Sequence, residues 1–79
     1  MIKEAAKIIT NYNGEIYEDY SGRGMFNETT TAITFDSMSD FNEAIADVMV
    51  AEDQNEREIV ADFLRNYRED SLGKGIIVY

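Results

Sequence analysis

Residues 28–35, Glu28-Thr29-Thr30-Thr31-Ala32-Ile33-Thr34-Phe35, decide the fold class. β-Branched residues dominate the stretch, and near its end Ile33 and Phe35 fall on one side while Thr34 falls on the other. That alternation predicts a strand with one face against a core. Upstream, Glu15-Ile16-Tyr17-Glu18-Asp19-Tyr20 reads as a second strand. Residues 21–27 hold two glycines and read as the loop that joins the two strands into a hairpin. Downstream, Gly73 and Gly75 break the chain, and Ile76-Ile77-Val78-Tyr79 reads as a final strand that pairs inside or beside the hairpin.

Helical periodicity fills the remaining segments. In residues 2–12, Ile2, Ala5, Ala6 and Ile9 share a face, and Asn13-Gly14 supplies a left-handed cap. The competing reading makes Asn13-Gly14 a two-residue turn between strands 7–12 and 15–20; the helix is preferred. Residues 40–51 form a helix capped by Ser39 or Ser37, with Phe41, Ile45 and Val48 as its apolar stripe and Glu43 and Asp47 outward. Residues 54–67 form another, in which Asp53 and Glu56 resemble a capping box and Ile59, Val60, Phe63, Leu64 and Tyr67 make the buried face. Its first turn is acidic and its end carries Arg65 and Arg68, as the helix dipole favours. The expectation is an α+β fold: a small antiparallel sheet, hairpin plus C-terminal strand, with two or three helices packed on one face. Residues 1–79 read as a single acidic domain.

Composition narrows the chemistry. The chain has 79 residues, 16 acidic against seven basic, a net charge of −9, and no Cys, His or Pro. A chain of this length buries only about 60–65% of its unfolded surface, so its core is thin. Without Cys and His there is no disulfide framework, no usual zinc site and no Cys–His or Ser–His dyad. The opening Met-Ile-Lys-Glu-Ala-Ala-Lys carries a Glu and no long apolar run, so the reading predicts no secretory leader. No apolar run approaches the roughly 20 residues that span a bilayer. The expectation is a cytoplasmic protein without a membrane partner. The charge argues against direct nucleic-acid binding, which needs a basic face, and suits a basic partner.

The most informative segment is Tyr20-Ser21-Gly22-Arg23-Gly24-Met25-Phe26. Two glycines free the backbone to approach a ligand, and successive N–H groups in such a turn can cradle an anion. Arg23 adds a planar fork for phosphate or carboxylate, while Tyr20 and Phe26 can stack on a base. Between Ile8 and Asn55 it is the only basic residue against ten acidic ones. The plain structural reading is a hairpin loop in which Arg23 pairs with Glu18, Asp19 or Glu28. The segment lacks the Gly-Lys-Ser/Thr ending of a nucleotide-hydrolase phosphate loop.

Asp40, Glu43, Asp47, Glu52, Asp53, Glu56, Glu58 and Asp62 form a second candidate, an acidic face across the two central helices; its plain reading is a solvated surface. The carboxylate pairs Glu15/Glu18 and Asp19/Glu28 show no shared cleft from spacing alone, so no catalytic residue and no cofactor is assigned. Residues 36–40 lack the pattern of a calcium loop, no metal site is assigned, and Met25, Met38 and Met49 read as core fillers.

The run from Tyr20 to Met25, entered by Ile16-Tyr17-Glu18-Asp19 and followed by a Thr-rich strand, resembles small uncharacterised proteins of bacteriophages and prophages. Those proteins are similar also in ending on a Gly-rich turn and an Ile/Val-Tyr strand, as in residues 73–79. The resemblance covers residues 15–36 and 70–79. It implies a viral protein in the host cytoplasm and an anti-defence role. Two forms are expected. One is a homo-oligomeric sponge that holds a nucleotide-derived immune signal at residues 20–26 without catalysis. The other is an acidic nucleic-acid mimic that blocks a basic host defence protein such as a CRISPR effector.

Overall fold

The computed structural model describes residues 2–22 and 28–79, with only the backbone described at Leu72. The elements run α1 (Ile2–Ile9), β1 (Glu15–Tyr20), β2 (Thr30–Phe35), α2 (Met38–Met49), α3 (Gln54–Leu64), β3 (Glu69–Leu72) and β4 (Gly75–Val78). The strands form an antiparallel sheet in the order β1-β2-β4-β3. The α+β class is as the sequence predicts, and the final strand lies inside the sheet, between β2 and β3. The sheet has one strand more than the hairpin and C-terminal strand expected.

Local chemistry explains the helix boundaries. Ser37 caps α2, its hydroxyl accepting from the Asp40 N–H at 3.2 Å, which starts the helix two residues before the predicted position. Asp53 caps α3 by accepting from the Glu56 N–H at 3.2 Å. Gly14 follows the turn after α1 with φ +88°, and its N–H donates to the Asn13 side chain at 2.9 Å. The helix reading therefore stands over the hairpin reading, but the helix closes at Ile9 and residues 10–12 form the turn that leaves it, three residues short of the expected end.

The expected apolar stripes meet. Ala5, Ala6, Ile9, Phe41, Val48, Val60 and Phe63 join Ile33, Phe35 and Val78 in one core cluster. Ala44, not Ile45, is the buried residue between Phe41 and Val48, and Ile2, Ile45, Ile59 and Leu64 pack against the cluster only partly buried. Aromatic rings run through it: Phe35 to Phe41 at 5.2 Å, Phe41 to Tyr67 at 5.4 Å and Tyr67 to Phe63 at 5.7 Å. Tyr67 lies beyond the end of α3, not within it as predicted, yet still packs against this core. Met49 also packs there, whereas Met38 is exposed at the start of α2 and fills no core space.

Two glycines let Phe35 sit where it does. A Cβ at Gly14 would lie 2.6 Å from the Phe35 ring, and one at Gly75 would collide with the Phe35 carbonyl. A ring can tilt, but a backbone carbonyl held in a ladder cannot. Gly75→Ala is therefore expected to cost about 2–3 kcal/mol, lowering the melting temperature by roughly 10 °C or more. Gly14→Ala should cost less, about 1–2 kcal/mol from its positive φ and ring displacement. Thermal melts of both variants check the ranking.

Candidate binding surface

The sheet has a second face, and the pairing register assigns residues to it. Cross-strand partners point the same way and neighbours along a strand alternate. Ile33 and Phe35 point toward the helices, so Ala32 and Thr34 point away. Ala32 pairs with Tyr17, Thr30 with Tyr20, Thr34 with Ile77, and Ile77 with Asp70. Ala32 and Ile77 are fully buried yet lie outside the helix-side cluster, as members of the opposite face should.

Tyr17 and Tyr20 share that face because of an irregularity in β1. Three residues apart on a regular strand, they would point in opposite directions. Between them the register shifts by one, with Tyr17 opposite Ala32 and Tyr20 opposite Thr30. Asp19 absorbs the extra residue with φ +60°. Asp tolerates this left-handed conformation better than most residues because its short side chain can bond locally. The bulge thus turns Tyr20 back onto the outer face.

Tyr20 becomes the centre of an aromatic cluster. Its ring lies 5.8 Å from Tyr17, edge-on, and 5.0 Å from Tyr79. The Tyr20 phenol donates to Asp70 Oδ2, and the Tyr79 phenol donates to the same oxygen at 3.4 Å. Reciprocal backbone hydrogen bonds of 2.7 and 2.9 Å between Arg68 and Tyr79 continue the β3–β4 ladder by one pair and hold Tyr79 in place. The turn that brings Asp70 to this position is Gly73-Lys74, between Leu72 and its partner Gly75. Gly73 has φ +58°, the sign that the first residue of a II′ hairpin turn requires.

Of the segment singled out in the sequence, Tyr20 is half-buried in the cluster, Ser21 is exposed, and Gly22 sits in a turn with φ +66°. Arg23, Gly24, Met25 and Phe26 lie outside the described residues. The structure gathers Tyr17, Asp70, Arg68 and Tyr79 beside Tyr20, and no sequence motif marks these four as site residues. The Gly73-Lys74 turn was the available signal for Asp70, since it implies that residues 69–72 fold back on 75–78.

Two concavities flank the cluster. One of about 340 Å³ is lined by Thr30, Asn66, Arg68 and Tyr79, at the Tyr20 end of the sheet. A larger one of about 570 Å³ lies at the other end, with Glu15, Tyr17, Thr34, Asp36 and Lys74 in its walls. Among the described residues, the smaller has Arg68 as its charged residue and the larger sets two carboxylates against one ammonium. The acidic face spans α2, α3 and the connection between them, with Glu43, Asp47, Glu52, Asp53, Glu58 and Asp62 exposed and Asp40 and Glu56 half-buried. Comparison of the chain with protein-family models, curated proteins and solved structures finds no match. No helix among the described residues is long and apolar enough to cross a membrane.

The shared acceptor makes a prediction. A hydrogen bond to a carboxylate contributes about 1.5–3 kcal/mol when shielded, and less at a half-exposed one. Asp70→Asn should thus lower stability by about 1 kcal/mol and Tyr20→Phe by a similar amount. Because both act on the same contact, the double variant should lose less than the sum. Denaturant titration of the cycle measures this; full additivity would mean that the contact contributes nothing.

Proposed function

We propose that this protein is a non-catalytic binding protein that captures a phosphate-bearing, nucleotide-derived small molecule at the Tyr20 end of its sheet. The observation that carries the proposal is the 340 Å³ concavity of Thr30, Asn66, Arg68 and Tyr79, at the end of the sheet where β1 finishes with Tyr20. Arg68 is exposed, and its side chain makes no ion pair among the described residues. A guanidinium without an ion-pair partner among the described residues suits a phosphate, the Tyr79 ring offers a flat wall for a base, and Asn66 and Thr30 supply polar groups. Arg23 and the N–H groups around Gly22 and Gly24 would complete the anion site, with Ser21 as a further donor. A volume of this size lies at the lower end for ligand pockets, so a second copy of the chain would close it. On the resemblance to phage proteins, the ligand would be an immune signal and the setting the host cytoplasm.

The test is calorimetry against cyclic dinucleotides, cyclic oligonucleotides and ADP-ribose derivatives, with sedimentation to give the oligomeric state. The expected result is binding at micromolar concentration or below by one of these. Arg23→Ala and Arg68→Ala should each weaken it at least tenfold, about 1.4 kcal/mol. No binding by any compound, or unchanged binding in both variants, overturns the proposal.

The exposed carboxylates of α2 and α3 favour a second reading, the acidic mimic. A partner with a nucleic-acid channel would meet Glu43 and Asp47 of α2 with Glu56 and Asp62 of α3, and the complex would weaken with salt. Reversing those four charges should abolish inhibition of such an effector; surviving inhibition removes this reading.

A further inference from the structure

We infer that the outer edge of β1 is a docking strand for an extended basic segment of a partner protein. β1 ends the sheet, and among the described residues no strand pairs with its outer side. An exposed edge of this kind is a template for strand addition, and proteins usually guard such edges with Lys, Pro, short length or charge. The other edge, β3, is shorter, with four residues. β1 has six residues and neither Lys nor Pro. Its bulge after Tyr17 limits regular addition to the first part of the strand.

That first part offers apolar surface on both sides. Ile16 is 43% exposed and pairs with Ile33 on the helix side; Tyr17 is 45% exposed and pairs with Ala32 on the outer face. An added strand would lay alternate side chains against each. Charge then selects the occupant. Glu15, Glu18 and Asp19 are exposed, and no basic residue lies between Ile8 and Gly22. A second copy pairing through β1 would set these carboxylates against one another, whereas a basic segment would set ammonium or guanidinium groups opposite them. The 570 Å³ concavity supplies the receiving space, with Tyr17 in its wall and, among the described residues, Glu15 and Asp36 opposed by Lys74 alone. A lysine or arginine side chain over Tyr17 would gain both the carboxylates and the ring face. This surface is at the opposite end of β1 from the Tyr20 concavity, so it does not depend on the nucleotide proposal.

The probe is a seven-residue peptide alternating lysine with valine, compared with the same peptide N-methylated at alternate amides. The two carry equal charge, but only the first can complete a ladder. Binding is expected for the parent peptide, with alternate β1 amides protected in hydrogen exchange. The N-methylated form should bind at least tenfold more weakly. Glu15→Lys/Glu18→Lys and, separately, Tyr17→Lys should each reduce parent binding at least tenfold; both change exposed positions, and thermal melts confirm that they fold. Equal binding of the two peptides, protection on α2 and α3 in place of β1, or unchanged affinity in both variants would overturn the inference. So would a dimer in sedimentation that Tyr17→Lys abolishes, which would make a second copy the occupant.

Discussion

Phe35 is the residue around which three separate pieces of chain must close. Its ring lies under Gly14 at the end of the α1 turn, its carbonyl abuts Gly75 at the start of β4, and its ring meets Phe41 of α2 edge-on. A chain of 79 residues has little apolar surface to spend, so its core cannot absorb a misplaced ring. Both glycines remove a Cβ where the approach is closest. Once Phe35 is seated, the β2–β4 register follows, because Phe35 pairs with Ile76 and brings Val78 opposite Ile33. The helices then have one continuous apolar surface to cover, and the other face of the sheet is left to a different set of residues.

That other face is organised by polar as well as apolar contacts. Ala32 and Ile77 are small or aliphatic and lie flat on it, while Tyr17, Tyr20 and Tyr79 bring both ring surface and a hydroxyl. A phenol covering apolar surface must find a partner if it is taken from water. Asp70 serves Tyr20 and Tyr79 together, which ties the two edge strands across the sheet. The β1 bulge is the condition for this arrangement, since without it Tyr20 would face the helix side.

Much of the fold was legible in the sequence because most of its elements carry a local signal. The apolar spacing of Ala5, Ala6 and Ile9, the caps at Ser37 and Asp53, and the alternation of Ile33, Thr34 and Phe35 each report a nearby physical requirement. β3 carries no such signal. Glu69-Asp70-Ser71 has no apolar alternation, because this short edge strand is held by its ladder to β4 and not by a buried face. The candidate surface was legible only at Tyr20. Asp70 lies 50 residues away from it, and no local pattern reports a contact of that separation. The bulge was also hidden: Asp19 reads as an ordinary strand residue unless its partner strand is known.

The distribution of charge gives the two sides of the molecule different character. Among the basic residues, Arg57 donates to the Ala51 carbonyl and Arg65 pairs with Asp62 at 3.6 Å, so both serve the helical side. Lys3 and Lys7 lie exposed on α1. Arg68 and Lys74 flank the outer face of the sheet at its opposite ends. Among the described residues, Arg68 lines its concavity with Tyr79, Asn66 and Thr30, and the Asp70 carboxylate lies beside it on the Tyr79 phenol, whereas Lys74 shares its concavity with Glu15 and Asp36. Local composition, more than the net charge of −9, therefore decides what each end can hold. On the proposed reading, an anion at the Arg68 end would meet the guanidinium at short range, with the Asp70 carboxylate already accepting from two phenols and the helix carboxylates screened beyond about 8–10 Å. A cation gains at the Lys74 end, where two carboxylates outweigh one ammonium. The two ends of one sheet face thus differ in local charge, and the two proposed sites draw on that difference more than on the net charge.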